Sequence, residues 1–384
     1  MQNRLEIEES KPTDKTVKNH INFMSFNIGC LPLLGAINAR FLRSNHIRTQ
    51  LITERMIQWN TDPIKQESAP DIICFQEALA IETRYTLKQK LSPYYPYDTE
   101  NVGQHLRGSG LLILSKYPIL EAHYKPFSNV MTTSERLAIK GLIGAKLQID
   151  DNHFITVYDT HLESGGDITI NRRDELYGTT SWRRGEQMGR VYDDIQLWST
   201  EPPKSKPTMQ HMKTFLLGDL NTSLNDERKM CGISSGKSKR GYKKDMKKYP
   251  GQYDLFRLLD HTVPANFTPS VEKAKKENLF TGSYLPKNVT SENKKHDTPV
   301  MPYDAEPRVI DGVFCNQSLD STTPELESRI LSHQLNGEGG VSPICLSDHF
   351  PVWARWTPSL FAKQKPATPT PEVEKQPVNQ CAVM

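Results

Sequence analysis

Eight apolar runs recur between Ile21 and Trp356, and polar residues end or follow each of them. Short runs of this kind, rich in β-branched and aromatic residues, predict strands that are buried on both faces. The helical stretches between them favour an α/β protein with largely buried sheets. The eight runs are INFMSFN, DIICFQE, SGLLILS, LAIKGLIGAKLQI, HFITVYDTHLE, KTFLLGDLN, RVIDGVF and FPVWARW.

Two other segments, 45–59 and 182–198, space their apolar residues as one face of a helix does. Such faces predict helices that cover a sheet. The residues that define them are Ile47, Leu51, Met56 and Trp59 in the first segment, and Met188, Val191, Ile195 and Trp198 in the second.

Composition divides the chain into unequal parts. Residues 1–19 are polar and mixed in charge, which predicts a flexible arm, whereas 20–356 carries the strand pattern and predicts one large domain. Within it, 225–304 is rich in Lys, Asn, Ser and Pro and is predicted to be a basic, irregular insert. Residues 357–380 are dominated by Pro, Thr, Lys and Glu, which is typical of an extended linker before the last four residues, 381–384.

Overall composition narrows the class of protein. No run of about 18 apolar residues appears and the N-terminus is polar, so we expect a soluble protein that is not exported. Its six cysteines are scattered without a C-x-x-C pair, which indicates free thiols in a reducing compartment. A net charge of +3 does not favour nucleic acid as a partner. Locally, however, the segment from Arg228 to Lys248 contains nine Lys or Arg residues and a single acid, Asp245.

Polar residues that could carry chemistry follow or interrupt the strand-like runs. Each one alone could simply end a strand by starting a turn, but eight with the same placement favour a site at one sheet edge. Their carboxylate and amide oxygens suit Mg²⁺, while the histidines could activate water, so metal-assisted phosphoester hydrolysis fits the set. The eight are Asn27, Glu77, His161, Asp219, Asn221, Asp311, Asp348 and His349.

Seven motifs in order resemble those of the endonuclease/exonuclease/phosphatase superfamily: FMSFNIGCLP, PDIICFQEAL, RGSGLLILSKYPI, YDTHLES, FLLGDLNTS, RVIDGVF and LSDHFPV. G-D-x-N followed by S-D-H is the most specific combination. The resemblance implies a four-layer α/β/β/α sandwich of two packed mixed β-sheets, with the active site at one edge. It also implies Mg²⁺ as the cofactor, with Mn²⁺ as a substitute.

Within that superfamily, NIGCLP, SGLLILSKYPI and the Lys140-Gly141 pair most resemble the neutral sphingomyelinase branch. The inositol polyphosphate 5-phosphatase branch also has a K-G element, but its P-x-W-C-D-R signature is missing, and EPRVIDGVF stands in its place. The resemblance therefore favours a phospholipid phosphodiesterase.

For metal and phosphate binding, the resemblance implies four roles. Glu77 would be the main Mg²⁺ ligand, Asn27 would hold the metal shell or the Glu77 carboxylate, and Asp348 would support the metal through water. Lys140 would contact phosphate, and the alternative for it is a surface lysine whose ammonium snorkels to solvent.

For the chemical step, the resemblance implies that Asp219 and His349 handle the attacking water. His349 is favoured as the general base if Asp311 fixes its tautomer, and the choice between Asp219 and His349 stays open. Asn221 and His161 would donate hydrogen bonds to the phosphoryl oxygens as negative charge develops.

Three alternative functions stay open, and two of them use the same chemistry on other substrates. One is a phosphatase acting on phosphoinositides or inositol polyphosphates. Another is a nuclease that holds a nucleic-acid backbone with the lysines of 228–248, although Tyr242 and Tyr249 are the only aromatic residues there for stacking on bases. A non-catalytic binding module of the same fold is the third. We expect a monomer by default.

The chain ends in QCAVM, and a cysteine followed by two aliphatic residues and methionine is the form that eukaryotic prenyltransferases farnesylate, here at Cys381. The expected location is the cytoplasmic face of membranes, in a eukaryote or in a host cell that receives the protein from a bacterium. One prenyl chain anchors only marginally, so a second contact is expected, and the lysines of 228–248 are the candidate.

We predict that Cys381→Ala releases the protein from membranes, because the variant has no thiol to alkylate. Fractionation of eukaryotic cells that express each form checks this, and activity on detergent-dispersed substrate should stay unchanged. A variant that remains wholly on membranes would contradict the prediction.

Overall fold

The computed structural model describes residues 18–30, 45–102, 108–127, 139–163, 179–221, 311–315, 326–330 and 351–358. The predicted site residues Asp348 and His349 and the predicted lipidation site Cys381 lie outside these ranges. So do the insert at 225–304 and nearly all of the arm and the linker. Expectations about them stay predictions.

Eleven strands and three α-helices are present in the described ranges. The strands are β1 (Ile21–Cys30), β2 (Ile72–Ala78), β3 (Tyr97–Asp98), β4 (Leu112–Ser115), β5 (Ile119–Pro126), β6 (Gly141–Gln148), β7 (His153–His161), β8 (Gln210–Asp219), β9 (Asp311–Cys315), β10 (Leu326–Ile330) and β11 (Val352–Trp356). The helices are α1 (Asn45–Thr61), α2 (Ile81–Leu91) and α3 (Thr179–Trp198), and a short 3₁₀ turn spans Gln66–Ser68.

The strands form two mixed sheets. The first has the order β10-β11-β1-β2-β4-β3 and the second the order β5-β6-β7-β8-β9. β1 and β2 run parallel, as do β7 and β8, and the remaining neighbours are antiparallel. Each sheet thus contains one parallel pair whose carboxyl ends meet at an edge.

Period-two alternation along β1 shows how the layers are built. Ile21 and Phe23 pack into the core between the sheets, where the Phe23 ring lies 4.3 Å from that of Phe215, measured between ring centroids. Met24 and Phe26 point the other way, into the core beneath α1 and α2. α3 covers the far face of the second sheet, and the α/β/β/α sandwich is confirmed.

α3 is anchored to β7 by side chains that face away from the inter-sheet core. The Tyr158 hydroxyl donates to the Asp194 carbonyl oxygen at 3.2 Å, and the Thr156 hydroxyl donates to that of Ser199 at 2.6 Å. None of the helices in the described ranges has the length and apolar character needed to cross a membrane.

All eight predicted runs contain a strand, and three strands were not predicted: β3, β5 and β10. β3 has only two residues, and β5 carries His, Lys and Glu on a half-exposed edge strand, so neither shows an apolar run. The charged residues of β10 interrupt its apolar pattern, so this strand does not appear as an apolar run either.

The predicted face of α1 is partly wrong. Met56 and Trp59 are buried as expected, but Ile47 is 39% exposed and Leu51 is half-buried. The buried face instead includes Arg48 and Ile52, so a charged side chain occupies a position that an apolar pattern cannot reveal. In α3, the predicted Met188 and Val191 are buried.

Candidate active site

The predicted residues on β1, β7, β8 and β9 come together at one edge of the sandwich. Along each strand, alternate side chains point into the core between the two sheets. Asn27, His161 and Asp219 occupy such inward positions at the ends of their strands, so the alternation that buries the apolar side chains also turns these polar side chains toward the other sheet. In the second sheet, His161 pairs with Asp219 and Asp219 pairs with Asp311. The sandwich therefore brings side chains from both sheets to one cleft.

Glu77 reaches this cleft by breaking the alternation. Gln76 faces the other sheet, so the next residue of a regular strand would point toward α1 and α2. Glu77 has a φ of 56°, and its Oε1 lies 3.8 Å from His161 Nε2 on the opposite sheet. A non-glycine residue in this left-handed region costs about 1–3 kcal/mol, and such strain concentrates at functional sites.

Asp219 is a firmly held carboxylate of the cleft, at 1% exposure. Its Oδ2 accepts a hydrogen bond from Asn27 Nδ2 at 2.9 Å, and its Oδ1 accepts one from the backbone N–H of Asn221 at 2.8 Å. His161 Nε2 lies 3.4 Å from the same Oδ2. The Asn27 oxygen in turn accepts from the Gly29 N–H at 3.0 Å. These bonds fix the direction in which Asp219 faces the cleft.

Lys140 is buried, at 4% exposure, so it is not a snorkelling surface lysine. Its Nζ lies 3.0 Å from His161 Nε2 and donates to the Leu162 carbonyl oxygen at 2.8 Å. Two groups with opposite demands face Nε2: the Lys140 ammonium can only donate, which suits an accepting Nε2, whereas the Asp219 carboxylate at 3.4 Å suits a donating one. The expected donation from His161 to a phosphoryl oxygen requires that these contacts be exchanged, whereas the Lys140 ammonium is already a donor.

The G-D-x-N segment has a steric reason for its glycine and a structural role for its asparagine. A Cβ on Gly218 would lie 1.9 Å from the Thr160 carbonyl oxygen, so only glycine allows β8 to approach β7 this closely. Asn221, at a φ of 49°, donates from Nδ2 to the Leu162 oxygen at 3.1 Å. Lys140 and Asn221 are thus held on the same carbonyl.

Sequence reasoning missed a buried bridge directly beneath the cleft. Gln76 Nε2 donates to Asp159 Oδ1 at 2.7 Å, which joins β2 of one sheet to β7 of the other. Burial raises the pKa of the Asp159 carboxyl well above its usual range, against the opposing hydrogen bonds from Gln76 and from backbone amides. The available signal was an acid at an inward position of β7, two residues before His161.

The donor set fits a hard divalent cation. Glu77, Asp219 and Asp311 supply carboxyl oxygens at an edge where Lys140 supplies an ammonium, and Asp219 pairs directly with Asp311 across β8 and β9. No group of three or more His, Cys, Asp or Glu side chains in the described ranges is arranged to hold a metal. Mg²⁺ commonly uses only one or two carboxylates and keeps several waters, so Glu77 remains its predicted ligand.

The choice of general base stays open. Asp219 lies in the cleft, while His349 and the metal-supporting Asp348 are outside the described residues. Asp311 is fully buried beside Asp219, and its expected contact with His349 stays a prediction.

A family model described as the endonuclease/exonuclease/phosphatase family matches residues 24–229, which is more than half of the chain. The chain belongs to this family. The match includes β1, β2, β7 and β8 and therefore Asn27, Glu77, His161 and Asp219. Members of the endonuclease/exonuclease/phosphatase family hydrolyse phosphoesters, and this reaction class agrees with the cleft.

Solved structures of other proteins share the fold. SmcL is 18% identical with a TM-score of 0.56, and the match covers 88% of this chain and 99% of SmcL. Sphingomyelinase C from Streptomyces griseocarneus is 15% identical with a TM-score of 0.50, and the match covers 88% and 99% of the two chains. A beta toxin variant from Staphylococcus aureus with bound magnesium ions is 18% identical with a TM-score of 0.50, covering 87% and 99%. No curated protein matches this chain by sequence.

We predict that Glu77→Asn and Glu77→Gln both abolish hydrolysis, but that the Asn variant is the more stable of the two because it relieves the backbone strain at position 77. Asn tolerates the left-handed conformation better than Gln does, so its free energy of unfolding should exceed that of the Gln variant by about 1 kcal/mol. Urea denaturation of the two variants measures the difference. Equal stabilities would show that the conformation of Glu77 is not strained.

We predict that Asp159→Asn removes a pH dependence of stability. The folded carboxyl has a raised pKa, so its contribution is fully present below the unfolded pKa of about 3.9 and declines as pH rises toward the folded value. The free energy of unfolding of the wild type should therefore fall, relative to Asp159→Asn, as pH increases above about 4. Parallel curves in urea denaturation at several pH values would mean that Asp159 is ionised in the folded protein.

Proposed function

We propose that the chain is a Mg²⁺-dependent phospholipid phosphodiesterase that cleaves sphingomyelin to phosphocholine and ceramide. The observation that carries the proposal is the cleft at the edge of the two sheets. There the carboxylate of Glu77, whose backbone is strained, lies opposite His161, and Asp219 and Lys140 lie beside the same histidine. The sphingomyelinase-like motifs and the sphingomyelinase C that shares the fold support this choice of substrate.

The chemistry would be attack of water on phosphorus, with a new O–P bond formed and the P–O bond to ceramide broken. Bound Mg²⁺ would supply polarisation of a phosphoryl oxygen, and Glu77 would hold it. Asp219, fixed by Asn27 and Asn221, faces the cleft as an acceptor that can orient the water or take its proton. Overall, the hydroxyl of the water goes to phosphorus and its proton, passed through Asp219 or solvent, goes to the leaving ceramide oxygen.

Lys140 would stabilise the negative charge that develops on the phosphoryl oxygens. Its ammonium is buried and held by the Leu162 carbonyl, so it requires little reorganisation during the reaction. Donors arranged in advance in this way usually make the largest single contribution to such catalysis. The sequence predicts His161 and Asn221 as further donors, and to act so they would exchange their contacts with Lys140 and with the Leu162 carbonyl for the phosphoryl oxygens.

The second candidate is a phosphoinositide phosphatase. The observation that favours it is the same buried Lys140, because the ammonium suits the higher charge of a phosphomonoester and the K-G element also occurs in that branch. For either lipid substrate, we infer that the enzyme works at a membrane and that the predicted prenyl group on Cys381 holds it there. A nuclease would depend on the lysines of 228–248, which lie outside the described residues.

A vesicle assay tests the proposal. Purified protein with Mg²⁺ is added to vesicles of sphingomyelin and phosphoinositides, and we expect release of phosphocholine without free phosphate. A chelator should stop the release and added Mg²⁺ should restore it. Glu77→Gln, which keeps the size of the side chain and removes its charge, should lose about 100-fold or more in rate, because the cation then has no carboxylate ligand from β2.

Other outcomes point to the alternatives. Free phosphate without phosphocholine would identify the phosphatase and overturn the sphingomyelinase proposal. Cleavage of DNA alone would identify the nuclease. If sphingomyelin, phosphoinositides and DNA are each incubated with the protein and none of them gives a product, the enzymatic proposal as a whole is contradicted.

A further inference from the structure

Two buried arginines hold the backbone directly after two predicted site residues. Arg48 of α1 donates to the carbonyl oxygens of Ile28 at 2.6 Å and Gly29 at 2.7 Å, just beyond Asn27. Arg84 of α2 donates to those of Ala78 at 2.9 Å and Leu79 at 3.0 Å, just beyond Glu77. In both strands the acceptors are the first and second residues after the site residue.

The two arginines also belong to one connected layer. Arg48 and Arg84 are 1% and 4% exposed, and the neighbouring hydroxyls of Thr49 and Thr83 lie 3.3 Å apart where α1 meets α2. We call the segments directly after the two site residues, 28–30 and 78–80, the strand exits. They are joined as well, because the Ala80 N–H donates to the Cys30 carbonyl oxygen at 3.4 Å. A change at one exit can therefore reach the other.

The backbone at both exits needs external support. Glu77 has a φ of 56° and Gly29 a φ of 58°, so each strand leaves its sheet through a left-handed residue. Left-handed backbone in a residue such as Glu77 persists only when the surroundings hold it. Hydrogen bonds from a charged guanidinium are stronger than neutral ones, and its planar fork can serve two carbonyls at once.

We propose that Arg48 and Arg84 are positioning residues, which hold the exits of β1 and β2 so that Asn27 and Glu77 face the cleft. In this role they would act through the backbone carbonyls that they hold, not by contact with substrate or metal. The proposal rests on the proposed function only in that Glu77 is taken as the Mg²⁺ ligand. Support of this kind around a metal ligand is commonly worth 10- to 100-fold in metal affinity.

Hydrogen–deuterium exchange and calorimetric Mg²⁺ titration test this on the whole protein. Arg48→Met and Arg84→Met keep an apolar stem but remove the donors. We expect exchange of the Gly29, Ala78 and Ala80 amides to speed up about tenfold or more, as loss of a hydrogen bond to a charged group predicts. Mg²⁺ binding should weaken by about tenfold or more. Arg48→Lys and Arg84→Lys, which retain a cationic donor, should recover part of both effects.

Arg355→Met is the matched control. Arg355 Nε donates to Asn22 Oδ1 at 3.0 Å, on the first sheet but near the start of β1, away from the exits. This variant should leave exchange at the exits and Mg²⁺ affinity as in the wild type. Urea denaturation of every variant allows comparison at similar stability, and the Lys variants serve if a Met variant does not fold.

Wild-type exchange at the exits in the Arg48 and Arg84 variants would overturn the proposal. It would also fail if all three Met variants changed exchange and Mg²⁺ affinity alike, because that result indicates a general loss of stability. If the wild type binds no Mg²⁺, the proposed function fails, while the exchange rates still decide whether the arginines hold the exits.

Discussion

The hydrogen bond from Asn27 to Asp219 joins the two sheets at the edge that carries the candidate site, and that site depends on the junction. Asn27 and Glu77 belong to one sheet, whereas His161, Asp219 and Asp311 belong to the other. Neither sheet alone contains a complete cleft. The apolar core between the sheets is non-directional and would tolerate a small slide, so directional bonds must define the register.

A second bond across the sheets lies one layer deeper. Gln76 and Asp159 occupy inward positions that apolar residues fill elsewhere along β2 and β7. Replacing such a buried polar pair by apolar residues often costs nothing in stability, so its value lies in specifying one arrangement. This pair adds a second hydrogen-bonded crossing between the sheets to that of Asn27 and Asp219. A sheet shifted by one residue would leave both unsatisfied.

The sequence predicts much of this fold because strands buried on both faces appear as apolar runs. Residues such as Phe23 and Met24 are apolar although they face opposite layers, and that continuity marks β1. β5 could not be found in this way, because an edge strand exposes half of its residues. Arg48 could not be placed either, since its burial depends on carbonyls that come close only in the folded chain.

The ends of the strands predict at which edge of the sheets the site lies, but they do not predict the direction in which each side chain points. A regular β2 would turn Glu77 toward the helices, and its left-handed conformation is not encoded by Glu itself. Lys140 shows the same limit, since a lone lysine before a strand is more often exposed. The backbone strain and the buried ammonium both arise from tertiary contacts.

Charge at the edge constrains the order in which a cation and a phosphate could bind. Glu77 and the paired Asp219 and Asp311 bring three carboxyl groups to this edge, and the Lys140 ammonium lies beside them. Like charges at close range in a partly buried cleft repel strongly, and a phosphoryl anion would add to that repulsion. A divalent cation held as proposed would offset negative charge there and leave Lys140 able to donate to the substrate. On the proposed function, the cation would therefore bind before the phosphate or together with it.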